Sequence, residues 1–227
     1  MGLRVLRGAA LSIVLMAGLA MSACGAPAGS KTAAQVVPEL QNGANLATSV
    51  HVAGSLLQGT QTTTIDVTIN GDSVAGYLGA RATRFYVLSL NGQNYVKLNA
   101  AFLNAEKAPA SLCATVCGKY VELPASSGSQ ITSLLSMQEL NKEIFDTSNM
   151  SALTTSGCTF SPASRDGQPV LECRQGNYTL DVAAQGQPYL VYWGGPNGQH
   201  LAFSDWNSVV LPAAPPASQV VPLSSLG

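Results

Sequence analysis

The chain has 227 residues, of which 46% are hydrophobic and only 10% charged, and its formal charge is −1. Charged residues usually make up about 25% of a globular domain, so this chain is weakly charged and apolar. No basic stripe runs along it, which excludes nucleic acid as an expected partner.

The first 23 residues read as a signal peptide. Arg4 and Arg7 open the chain, and residues 8–21 carry no charge. A basic start, an apolar middle and small residues before a cleavage point are the parts of a secretory signal. The apolar run is shorter than the roughly 20 residues of a membrane span. Met21-Ser22-Ala23-Cys24 resembles a bacterial lipobox, with Met21 where leucine is usual. That resemblance makes Cys24 the lipidation site. Residues 24–30 continue as Gly25-Ala26-Pro27-Ala28-Gly29-Ser30, a flexible linker composition. More than one acyl chain on one residue gives stable anchoring. The expected location is therefore the cell membrane, lipid-anchored on the extracytoplasmic side.

Two of the 11 basic residues precede Cys24 and all 12 acidic ones follow it, so the exported part carries −3. Its length suits one β-rich domain, placed at 31–212, with a loosely held Pro-rich tail at 213–227. Beyond Cys24 the cysteines are Cys113, Cys117, Cys158 and Cys173. An even number after an export signal reads as disulfides, with three possible connectivities. We favour Cys113–Cys117 and Cys158–Cys173, the latter closing across the turn at Ser164-Arg165-Asp166-Gly167.

Residues 31–49 read as a helix, with Val36, Val37, Leu40, Ala44 and Ala47 on one face and Pro38 starting or kinking it. From Val50 the period becomes two. Strands are expected at 50–56, 64–69, 73–78, 85–90 and 95–98, with Asn70-Gly71 and Asn91-Gly92 as hairpin turns. The strand at 85–90 is apolar on both faces apart from Ser89, so it must be covered twice or must hold something. Residues 100–105 read as a short helix and 119–123 as a strand. Ile131, Leu134, Leu135, Met137 and Leu140 form an apolar helical stripe, extended through 143–145. Strands return at 157–160, 168–173, 178–183, 189–193, 201–203 and 206–211. This order predicts an α+β fold, with helices packed on one side of a large antiparallel sheet.

No nucleophile constellation is visible. There is no G-x-S-x-G elbow, and neither His51 nor His200 has an acid at a telling spacing. Glu139, Glu143 and Asp146 read as a solvated helix face rather than a metal site. We expect no catalytic residue, no metal and no cofactor, and hence no enzyme.

Several features together resemble the LppX/LprG-type lipoproteins of mycobacteria, whose fold is similar to the LolA-type carriers. These are the lipobox ending at Cys24, the helix at 31–49, the strand Ser49-Val50-His51-Val52-Ala53-Gly54, and the ending Leu201-Ala202-Phe203-Ser204-Asp205-Trp206 followed by Pro212 and Pro215. The resemblance implies a half-barrel with helices over its concave face, and an apolar cavity for acylated lipid or glycolipid. The four further cysteines depart from that pattern. The greasy sheet beneath amphipathic helices makes Ile65, Val67, Ile69, Val87, Val96, Leu98, Leu134 and Leu135 the expected ligand-binding residues. The other reading is a non-enzymatic anchored envelope module, a sensor or accessory subunit, that binds a protein partner.

Overall fold

Turn chemistry sets the frame. In the computed structural model, which describes residues 29–58, 60–124, 136–145, 154–155 and 157–226, β3 (Gln61–Asn70) and β4 (Ser73–Gly79) pair with Asn70 opposite Ser73. Asn70 thus sits on the ladder, and the two-residue loop is Gly71-Asp72, one residue later than expected. At the next hairpin Leu90 faces Gln93, so Asn91-Gly92 is the loop; both residues have positive φ, the requirement of the tightest hairpin turns.

The remaining strands are β1 (Lys31–Thr32), β2 (Ser49–Gln58), β5 (Phe85–Leu90), β6 (Gln93–Lys97), β7 (Tyr120–Leu123), β8 (Thr159–Arg165), β9 (Gln168–Gln175), β10 (Tyr178–Ala183), β11 (Leu190–Gly194), β12 (His200–Ser204) and β13 (Val220–Pro222). They form one open 13-stranded sheet in the order β1-β8-β9-β10-β11-β12-β2-β3-β4-β5-β6-β7-β13. Only β13 joins in parallel, along β7. Four α-helices are described: α1 (Ala33–Leu46), α2 (Ala100–Ala105), α3 (Ala110–Val116) and α4 (Met137–Phe145). The arrangement is the expected α+β curved sheet bearing helices.

α1 is shorter than the periodicity suggests because its N-terminus is capped at Thr32, whose N–H donates to Gln35 Oε1 at 2.9 Å. Val36, Val37 and Leu40 are its buried stripe, and Pro38 lies on the exposed side. α4 docks on the far end of α1, where Asn141 Nδ2 donates to the Ala44 carbonyl at 2.8 Å. Beneath these two helices lies the main core, built on Val50, Val52, Val67, Ile69, Phe160, Leu190 and Phe203. A second core joins Val87, Val96 and Val121 of the sheet to Leu103 of α2 and Val116 of α3.

The C-terminal segment departs most from expectation. Residues 206–211 are no strand: Asp205 and Asn207 both have positive φ and turn the chain out of the sheet, with Asn207 N–H donating to the Ser49 carbonyl at 2.9 Å. Nor is the tail loose. Leu211 and Val220 pack on Ala75, Leu88 and Tyr95, which are buried on the face opposite the helices. Val220–Pro222 then adds to the β7 edge, and Leu226 packs into the second core on the helix side. The tail is a clasp that crosses one face and wraps an edge. β5 is therefore covered on both faces, by helices and by the tail, which answers its two-sided apolar character.

Both disulfides are local. Cys113 in α3 bonds Cys117 at its C-terminal cap, with Cα atoms 4.8 Å apart. Cys158, just before β8, bonds Cys173 of β9 across 6.1 Å, one diagonal step from direct pairing.

Candidate functional site

The sheet register places the described ligand-binding candidates on the helix-covered face. Val52, Val67, Gly76, Val87, Val96 and Val121 form one cross-strand row. Gly54, Ile65, Leu78 and Phe85 form the next, and Leu201 and Trp193 extend it on the other side of Gly54. Alternate residues of a strand share a face, so these two rows lie side by side.

The two rows differ in burial. Val67 and Val87 are each 1% exposed, and Ile69 and Val96 are buried too. These side chains are sealed by the protein itself, and no ligand reaches them without displacing a neighbour. Ile65, Leu78, Phe85, Leu98 and Trp193 are half-buried and pack on the margins of the two cores. Leu78 touches both cores. Gly54 leaves a dip in this row, and it has to be glycine: a Cβ there would stand 2.1 Å from the His200 carbonyl oxygen. The half-buried row is an apolar margin at the end of the sheet where β2, β4, β6 and β11 finish.

The candidates thus separate. Ile65 and Leu98 belong to the accessible margin, while Val67, Ile69, Val87 and Val96 belong to closed core. Leu134, Leu135 and Cys24 lie outside the described residues, as do residues 1–23. Sequence reasoning missed Leu78, Phe85 and Trp193. Leu78 was missed because the expected Asn70-Gly71 turn would pair Ile65 with Gly76, whereas the Gly71-Asp72 loop puts Leu78 opposite Ile65. Phe85 follows a longer connection whose register no local signal reports.

The opposite face carries polar chemistry that sequence spacing hid. β12 and β3 flank β2, so Ser204 and Asp66 fall on either side of His51. His51 Nδ1 lies 3.1 Å from Ser204 Oγ, and its Nε2 lies 2.9 Å from Asp66 Oδ1. Serine, histidine and aspartate in this contact have the composition of a nucleophilic triad. The Ser204 hydroxyl also lies 3.0 Å from Asp205 Oδ2, and these contacts tie β12, β2 and β3 together across the sheet.

Further along this face Arg165 ties three partners. Its Nε donates to Asp181, its guanidinium reaches Glu172 at 3.9 Å, and it lies 3.7 Å from the centre of the Tyr192 ring. Asp181 is fully buried. Burial pushes its carboxyl above the usual range, and the Arg165 hydrogen bond pulls it partway back. Glu172 goes the other way: hydrogen bonds from Arg174 hold it below the ordinary glutamate value. One oxygen stands apart: Asp181 Oδ1 is buried without a hydrogen-bond partner. Among the described residues no group of three or more His, Cys, Asp or Glu side chains is placed to hold a metal ion.

The chain matches no protein-family profile and no curated relative. Its fold is that of LprF from Mycobacterium bovis, at a TM-score of 0.52 and 16% identity, covering 81% of this chain and 96% of that one. The Mycobacterium tuberculosis lipoprotein LppX is also similar, at a TM-score of 0.42 and 15% identity, over 79% of this chain and 97% of that one. The likeness to LprF is one of three-dimensional fold.

Proposed function

We propose that this chain is an envelope lipoprotein, anchored through Cys24 after removal of residues 1–23, that binds or transfers acylated lipid or glycolipid without catalysing a reaction. The observation that carries this reading is the half-buried apolar row of Ile65, Leu78, Phe85, Leu98 and Trp193 beside a sealed core. Acyl chains are recognised by apolar area with few polar groups, and the row offers that on the helix-covered face. The fold shared with LprF supports it. Native mass spectrometry of the protein purified from its own host should record a bound acyl lipid. Leu78→Asp, which puts a carboxylate into the row, should reduce the loaded fraction. A protein that arrives empty and takes up no lipid in vitro rejects the reading.

A second reading has one observation in its favour. Val67, Ile69, Val87 and Val96 are filled in by the protein's own side chains, as in an envelope module that binds a protein partner rather than a lipid. Empty native spectra together with a stable envelope complex captured by cross-linking would select it.

A further inference from the structure

The cations are unevenly placed. Residues 73–124 hold five of the nine exported Lys and Arg residues (Arg81, Arg84, Lys97, Lys107 and Lys119) against two carboxylates, Glu106 and Glu122. That segment carries +3, while the rest of the exported chain carries −6. The four cations elsewhere, Lys31, Lys142, Arg165 and Arg174, all have carboxylate partners within 4.0 Å. None of the five has an ion-pair partner among the described residues.

Four of the five gather at one end of the sheet. β4 ends at Gly79, β5 begins at Phe85, β6 ends at Lys97 and β7 begins at Tyr120, and antiparallel pairing brings these positions together. Arg81, Arg84, Lys97 and Lys119 therefore cluster there. Two of them lie on tyrosines of the face opposite the helices. The Arg84 guanidinium is 4.7 Å from the centre of the Tyr77 ring, and Lys97 Nζ is 4.4 Å from that of Tyr120. Tyr77 meets Tyr86 edge-on at 5.0 Å, and Tyr86 meets Tyr120 at 6.2 Å. Tyr77 is 41% exposed. The result is a tyrosine platform rimmed by cations held on rings instead of carboxylates.

We propose that this platform is a contact surface for the anionic headgroups of a phospholipid membrane. Amphipathic tyrosines place apolar rings and polar hydroxyls at the level of lipid headgroups, and cations beside an anionic leaflet are attracted to it within a Debye length. The negative remainder of the chain is repelled by the same leaflet, so the surface selects one orientation. An acidic protein or glycan would also match the charge; hydroxyl-tipped rings together with the proposed anchor favour the membrane, and the test separates them. The choice of a membrane as the source of the anions rests on the Cys24 anchoring proposed above.

The test is cosedimentation of the full chain carrying Cys24→Ser with vesicles of phosphatidylcholine, with and without added phosphatidylglycerol. Residues 8–21 contribute equally to both vesicles and Arg4 and Arg7 add a constant share on the anionic ones, so the readout is the part of the anionic excess that the platform variants remove. That excess should fall with salt. Lys119→Gln touches no ring and should lower it about five-fold, the effect of one cation near an anionic surface. Arg84→Gln with Lys97→Gln should lower it on the order of twenty-fold, while Arg84→Lys and the distant Arg174→Gln should leave it in place. Equal binding to both vesicles overturns the proposal, as does an Arg174→Gln loss matching that of Lys119→Gln. Retention on an immobilised acidic polysaccharide with no vesicle excess assigns the surface to a glycan and also overturns it. Lipid loading in native spectra should be the same for Lys119→Gln and the parent, so failure here is distinguishable from failure of the lipid-binding reading.

Discussion

The two halves of the sheet solve burial differently. From β8 through β12 to β3, strands alternate. Their inner residues fill one large core under α1 and α4, and their outer face carries polar pairs, His51 with Asp66 and Arg165 with the buried Asp181. From β4 to β7 both faces of the sheet bury apolar side chains, β5 most completely. They carry a small core under α2 and α3 and a second one under the tail, and their cations have no carboxylate partners among the described residues. A half-wet sheet needs one cover and satisfies its other face with charge. A two-sided apolar sheet needs two covers, and here the second is irregular chain rich in proline.

The sharpest way to break this comparison is a cavity in each half. Phe160 is fully buried in the large core, so Phe160→Ala should cost about 4 kcal/mol in denaturant unfolding. Leu88→Ala on the tail-covered face should cost about 3 kcal/mol in the intact chain. In a chain ended at Val210 it should cost much less, because Leu211 and Val220, which seal Leu88, are gone. A Leu88→Ala penalty unchanged by truncation would mean the tail covers nothing of consequence.

The disulfides test the same division at lower cost. Cys158–Cys173 closes 15 residues beside the large core and Cys113–Cys117 closes 4 beside the small one. In the chain-entropy model these loops correspond to about 3 and about 2 kcal/mol. Cys158→Ser should therefore lower the melting temperature more than Cys113→Ser. A Cys113–Cys158 or Cys117–Cys173 peptide in a non-reducing map would join the halves covalently and remove the distinction.

The smallest effect concerns the wet face. Glu172 has a lowered carboxyl value in the fold, so its contribution is present above the unfolded value, roughly 4.3, and is lost as pH falls through the folded one. Glu172→Gln should produce a small drop in melting temperature at neutral pH that vanishes in acid. Asp181, with a raised value, has the opposite sign. Its contribution is complete below the unfolded aspartate value and is lost as pH rises through the folded one. Asp181→Asn should therefore be least costly at neutral pH, where it removes a buried charge, and more costly in acid, where the parent carboxyl is already neutral. An acid-persistent Glu172→Gln penalty would show that packing, not charge, holds the Arg174 pair.

Local chemistry made much of the fold legible. Period-two alternation located β3 and β10, the Asn91-Gly92 turn set the β5–β6 register, and the stripe of Val36, Val37 and Leu40 marked the buried face of α1. These signals act over a few residues, where backbone preference and side-chain alternation decide the outcome. α3 was not expected from the sequence.

Tertiary structure alone decided the rest. Ser204 and His51 are 153 positions apart, and only the pairing of β12 with β2 joins them. Whether Val67 is sealed or Ile65 accessible depends on which helix lies above, which strand alternation cannot express. The tail reads as loose chain because prolines break its periodicity, yet Leu211, Val220 and Leu226 find apolar surface that the sheet creates only once assembled. Burial is a property of surfaces that meet, and those surfaces belong to residues far apart in the chain.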